Sequence, residues 1–463
     1  MFLSIKMRKI YSLCFICLFL MAYSIDSNFE VIHKTNFDTN KYIEYEDKLM
    51  VQVDISFGEK KDKFKSSVDI DKYFLTVLGN EIKDFESLKK FNNLESDSFK
   101  EIQKVSNIYS EFFNKGIFGQ DTVTLGESEN INNLKFFVVT ELNPTPIYSS
   151  VSIGLSPEEK TINYDISAVN ILDQLKNISA INKRTWYLEF NDLNKGKFVI
   201  GKLPHEVNGN KFNEKNLLNS YLSKNEFSKP YYAIEFSEIY YGNLNNYNNR
   251  TLFNRFNISI ISLSSNLIYS TYEYFEFISK KIFTKKVQDN ICHQNKYGED
   301  YLYYYCDKNK FDISEVDSLN FYIRDKNMTF TLESKDLFYE NNNYLYYMVI
   351  FPNSDTINLQ WVFGLSFLKK YTLVFDRGEK LVYYYNSLQD NPNKEESDSN
   401  TNTTKYIIII VCLCVVFICC IGFLVFYILK IKPRKKKANE LDEGYDYETQ
   451  NDNGQGNSPL MVN

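Results

Sequence analysis

Histidine is nearly missing from this chain: His33, His205 and His293 are its only three in 463 residues. None stands beside a nucleophile elbow, so a Ser-His-Asp hydrolase is not expected. Glycine is sparse at 17 residues, and neither a phosphate-cradling Gly-rich loop nor an HExxH helix occurs. An excess of positive charge is lacking too. Lys and Arg total 53 against 59 Asp and Glu, for a net charge of −6. That balance is spread along the chain, and nucleic acid is not an expected partner. What is abundant is Asn, Lys, Tyr and Phe, with 36 tyrosines and 37 phenylalanines. This bias devalues any short motif built from those letters.

Two hydrophobic segments set the expected compartment. Lys6, Arg8 and Lys9 precede an apolar run from Ile10 that ends in Ala22-Tyr23-Ser24. A basic start, a short apolar stretch and small residues at its end predict a secretory signal peptide over 1–24. Residues 406–429 carry no charge and are followed by Lys430, Lys432, Arg434, Lys435, Lys436 and Lys437. That predicts a transmembrane helix with its basic flank in the cytosol, hence a single-pass type I topology. Of eight cysteines, two lie in the signal and four in the span, which leaves Cys292 and Cys306 in the ectodomain. An even pair in an oxidising compartment reads as one disulfide, with two free thiols as the alternative. Together with His293 they are too few to hold zinc, and no metal or cofactor is expected. Sequons at Asn177, Asn249, Asn257, Asn327 and Asn402 are N-glycan acceptors in a lumenal chain.

Between these segments the chain is expected to be mainly β. Short β-branched and aromatic runs recur at 49–57, 135–140, 186–190, 197–200, 232–241, 321–332 and 344–351. Helical spacing appears only at 81–91, 168–178 and 271–282. Residues 25–44 read as a polar, extended N-terminal extension, 389–405 as a solvated stalk and 430–463 as a cytosolic tail.

The segment Trp361-Val-Phe-Gly364-Leu-Ser-Phe-Leu-Lys-Lys-Tyr371-Thr-Leu-Val-Phe375-Asp376-Arg377 resembles the C-terminal signature of pepsin-like aspartic proteases. Further pieces follow in family order. Gly116 to Gly126 with Asp121-Thr-Val resembles the strands after the flap, and Ile153-Gly154-Leu155 the apolar segment beside the first active-site turn. Leu172-Asp173-Gln174-Leu175, Trp186-Tyr-Leu, Gly196 to Gly201, Tyr232 to Gly242 and the Cys306 to Phe330 region continue the series. The resemblance covers about 45–388. It implies a bilobal pepsin-like fold, with an N-lobe over 45–228, a C-lobe over 229–388 and a peptide-binding cleft between them.

Such proteases use two aspartates, one per lobe, each on an Asp-Thr/Ser-Gly turn. Neighbouring carboxylates cannot both ionise, so they share a proton and divide the work of activating water and polarising the carbonyl. Here Asp69 falls on the first catalytic position, but Ile70 replaces the hydroxyl residue and Asp71 the glycine. An exposed acidic turn is the competing reading of these residues. Ser262 falls on the second catalytic position and Ser264 on its glycine. Serine is not ionised near neutral pH. Tyr109 matches the flap tyrosine, while Ser110 and Phe112 replace flap glycines and Leu365 the frequent Asp after Gly364. The resemblance therefore implies a membrane-anchored pseudoprotease that binds a peptide or protein in its cleft or serves as a surface interaction module. The alternatives are an active endopeptidase pairing Asp69 with an unrecognised carboxylate, and a structural surface protein whose cleft has collapsed.

Overall fold

A computed structural model describes residues 24–34, 42–83, 85, 87–106, 113–142, 148–157, 170–223, 231–242, 251–253, 258–356 and 360–385. Residues 1–23 of the expected signal, the expected stalk 389–405, the apolar run 406–429 and the expected tail 430–463 lie outside them. Among the described residues no helix is long and apolar enough to cross a membrane.

The described chain is mainly β. The strand Leu49–Phe57 shows why: Val51, Val53, Ile55 and Phe57 fall on one pleat face and are buried, while Asp54 points outward. It lies in a 13-stranded sheet that begins with Leu217–Tyr221 and the late strands Leu381–Tyr385 and Val374–Asp376. The sheet then runs through Thr185–Phe190, Lys195–Ile200, Ile25–His33, Leu49–Phe57 and Asp62–Asp69 to the strands of the first half. The end of the domain is thus sewn into the sheet of its beginning. Residues 25–33, read as an extension, form a sheet strand between Leu49–Phe57 and Lys195–Ile200. A second sheet of nine strands and a third of four hold most of residues 233–363.

Four expected elements are broken in the structure, among them the run 344–351, which is two strands, Tyr344–Tyr347 and Val349–Pro352. The run 232–241 is two strands, Ala233–Glu235 and Glu238–Tyr241. The run 321–332 is a hairpin, because Arg324–Lys326 makes one tight turn that Asn327 closes at φ +47°. The helical spacing at 81–91 gives no helix among the described residues. Phe91 is instead drawn into the core against Phe57, Phe99 and Phe136, and its N–H donates to Leu78 O. A short isolated helix is marginal, and burial of one large ring outweighs it. The helix expected over 168–178 is present as Ile171–Asn177, with the Asn170 side chain capping Leu172 N–H. The one at 271–282 begins at Tyr272, capped by Thr271, and continues through a π turn at Ser279–Phe283. Cys292 and Cys306 face each other across a hairpin, are fully buried and form a disulfide.

Trp186 ties the early and late halves together. Its indole Nε1–H donates to Tyr232 Oη (3.0 Å), whose own hydroxyl donates to Leu155 O (2.5 Å), all of it buried. Tyr232→Phe keeps the ring packing but orphans the indole N–H. We expect a loss of about 2 kcal/mol, within the range for a buried unsatisfied donor, read from urea denaturation. An unchanged midpoint would show that the hydroxyl carries nothing.

Candidate active site

Two crossovers of the same design carry the expected site residues. In the first, Asp62–Asp69 runs parallel to Val151–Gly154 with Asp69 opposite Gly154, and Leu75–Leu78 lies antiparallel on the other side. In the second, Ile258–Ile261 runs parallel to Trp361–Phe363, and Ile268–Tyr269 lies antiparallel beyond it. The chain leaves each first strand through a tight turn and returns past a glycine. Gly154 N–H donates to Phe74 O (3.0 Å), and Gly364 N–H donates to Leu267 O (3.1 Å). Phe74 and Leu267 lie equally far beyond Asp69 and Ser262. Ser262 therefore stands in the second crossover where Asp69 stands in the first.

Local chemistry shapes both turns alike. Asp69 Oδ1 accepts from the backbone N–H of Asp71 (3.0 Å) and Lys72 (3.2 Å). Ser262 Oγ accepts from Ser264 N–H (3.3 Å) and lies 3.1 Å from Ser264 Oγ. Asp and Ser side chains both support turns by bonding the backbone two residues on. Ser262 thus supports the second turn as Asp69 supports the first, without a charge. Ile70 is buried in the main core and Asp71 is exposed.

Both turns line one cleft of about 520 Å³, with Lys34, Tyr148, Thr76, Val362 and several serines among its other walls. Among the described lining residues the carboxylates are Asp69 and Asp71, both from the first turn. Asp69 Oδ2 is ion-paired with Lys72 Nζ at 3.0 Å, each side chain about a quarter exposed. Lys72 Nζ also reaches Ser152 Oγ at 3.4 Å. Lys34, half-buried in the same wall, is held below the ordinary lysine pKa, chiefly by loss of solvent and further by Lys72, against the pull of Asp69 and Asp47.

A shared-proton pair needs two carboxylates in contact. What faces Asp69 here is a lysine ammonium, and the opposite turn offers two hydroxyls. Sequence reading missed both lysines. Lys72 has a signal in hindsight, since a turn at Asp69 returns the third residue onto its carboxylate. Lys34 has none, because only the pairing of Lys34 N–H with Lys48 O brings it to the cleft.

Of the other expected residues, Tyr109, Asn249, Asn257 and Asn402 lie outside the described residues. Asn177 is exposed at the end of its helix and Asn327 is exposed in its hairpin turn. Cys292 and Cys306 belong to a hairpin that does not line the cleft.

No curated protein matches the chain. The family model described as eukaryotic aspartyl protease matches residues 53–384, which takes in both crossovers and the cleft lining other than Lys34, Leu49 and Met50. On that match over most of its length, together with the paired glycine crossovers, the chain belongs to the eukaryotic aspartyl protease family.

Proposed function

We propose that this family member works without hydrolysing peptides. Its cleft holds an extended segment of a peptide or protein partner, presented by a chain anchored through residues 406–429 as a type I membrane protein of the secretory pathway or cell surface. The observation that carries the reading is the engagement of Asp69 by Lys72 opposite Ser262 and Ser264. Hydrolysis in the family manner would need Lys72 expelled and a second carboxylate supplied. Binding needs neither, because main-chain pairing and side-chain pockets hold an extended chain without the dyad. An open cleft of about 520 Å³ argues against a collapsed one. The apolar run, its basic flank and the N-terminal signal pattern support the anchoring.

The test is incubation of the purified full chain, in detergent micelles, with a peptide library at acidic pH, read by mass spectrometry. No products beyond those of the Asp69→Ala variant are expected. Cleavage blocked by a statine-type transition-state analogue and abolished by Asp69→Ala would establish an active endopeptidase and end the proposal.

A further inference from the structure

The charges of the cleft are unevenly satisfied. Asp69 is committed: one oxygen takes two backbone N–H groups and the other the Lys72 ammonium. Lys34 is not. Among the described residues no carboxylate lies within ion-pair distance of its ammonium, which sits 5.5 Å from the centroid of the Tyr148 ring. Asp69 and Asp47 act on Lys34 only at longer range, and Lys72 opposes them. Asp71 stands at the exposed edge of its turn. Asp47 is taken up elsewhere, by the hydroxyls of Tyr269 and Tyr297. A half-buried ammonium without a carboxylate is a standing electrostatic deficit.

The surroundings suit a carboxylate. Lys34 shares the cleft with the hydroxyls of Ser262 and Ser264 on the opposite turn. Hydroxyls donate to a carboxylate without adding charge of their own. The second turn, where an aspartate would repel an acidic ligand, is neutral. A neutral second turn lowers the barrier to an anionic occupant.

We propose that the cleft selects peptide segments carrying an aspartate or glutamate side chain, which pairs with Lys34 between the Asp69 and Ser262 turns. This rests on the reading of the cleft as a binding site for extended chains. Arg or Lys segments are disfavoured, because a second cation would meet the Lys34 ammonium. Amide isosteres, Asn and Gln, keep the shape and hydrogen bonds but lose the charge.

The experiment compares fluorescein-labelled extended peptide libraries that differ only in one residue, Glu against Gln and Asp against Asn. Binding to the full chain in detergent micelles is read by anisotropy. The acidic libraries are expected to bind about tenfold more tightly, the scale of one charge-assisted hydrogen bond, with the margin shrinking as salt is raised. Lys34→Met should abolish the preference, so that acidic and amide libraries bind alike, and Lys34→Arg should retain it. Equal binding of acidic and amide libraries by the native chain overturns the acid selection and leaves the binding cleft standing. Binding of neither library overturns both. A preference that survives in Lys34→Met removes Lys34 from the assignment. The native comparison needs no variant to fold.

Discussion

Arg377→Met is expected to lower the free energy of unfolding by about 3–5 kcal/mol, the scale for breaking a buried ion pair by removing one partner. Arg377 is 6% exposed and follows the strand Val374–Asp376. Its guanidinium pairs with Asp173 on the helix Ile171–Asn177. It also donates through Nε to Ser156 O and through Nη2 to Tyr73 Oη, each at 3.2 Å. Ser156 N–H in turn donates to Lys72 O (2.9 Å), so the guanidinium braces the back of the Asp69 turn against the end of the domain. Methionine fills much of the volume and supplies none of the three side-chain donors in use. Arg184 Nε lies 2.8 Å from Asp173 Oδ1, without hydrogen-bond alignment and more than a third exposed, and so compensates Asp173 only in part. That places the loss toward the lower end of the range. Arg377→Lys keeps the charge but not the planar fork and should recover less than half. Urea denaturation of the single variants and of the double variant with Asp173→Asn measures the coupling. A loss under about 1 kcal/mol would put the pair on the scale of surface ion pairs and refute the brace.

Gly364→Ala is expected to exceed the about 1–3 kcal/mol usual for overpacking and to abolish the proposed peptide binding with it. A Cβ at Gly364 would stand 2.4 Å from Ser265 O, 2.5 Å from Leu267 O and 2.8 Å from Asn266 C. All three are backbone atoms of the returning turn and cannot rotate away. The backbone conformation is not the obstacle, since φ there is −81°. Gly154 meets the matching obstruction, 2.4 Å from Phe74 O and 2.7 Å from Lys72 O. Each methyl would push the turn bearing Ser262 or Asp69 out of the cleft wall. Gly298→Ala is the contrasting control. Its φ is +62° with nothing within 4 Å of the added carbon, so it carries only the left-handed backbone penalty of about 1–2 kcal/mol. Denaturation and anisotropy on the three alanine variants separate close approach from conformational strain. Gly364→Ala behaving like Gly298→Ala would show that the turn can yield.

Much of this site could be read from residue order alone. Ile153-Gly154-Leu155 and Phe363-Gly364-Leu365 mark strands that end where another backbone passes too closely for a side chain, and only glycine meets that demand. Alternation over Leu49–Phe57 and the Asn170 cap before Ile171–Asn177 are likewise local, because each depends on neighbours a few residues away. Family membership, the mainly β class, the Cys292–Cys306 pair and the matching positions of Asp69 and Ser262 all rest on such signals.

The tertiary structure decided the rest. Whether 81–91 is a helix turned on Phe91 reaching Phe57 and Phe136, partners distant in sequence. Whether 25–33 is a tail or a strand turned on two edges it pairs with, at Leu49–Phe57 and Lys195–Ile200. The electrostatic character of the cleft turned on Lys72 folding back onto Asp69 and on Lys34 arriving from the first strand. Charge interactions depend on distance and burial, and sequence spacing states neither beyond a single turn.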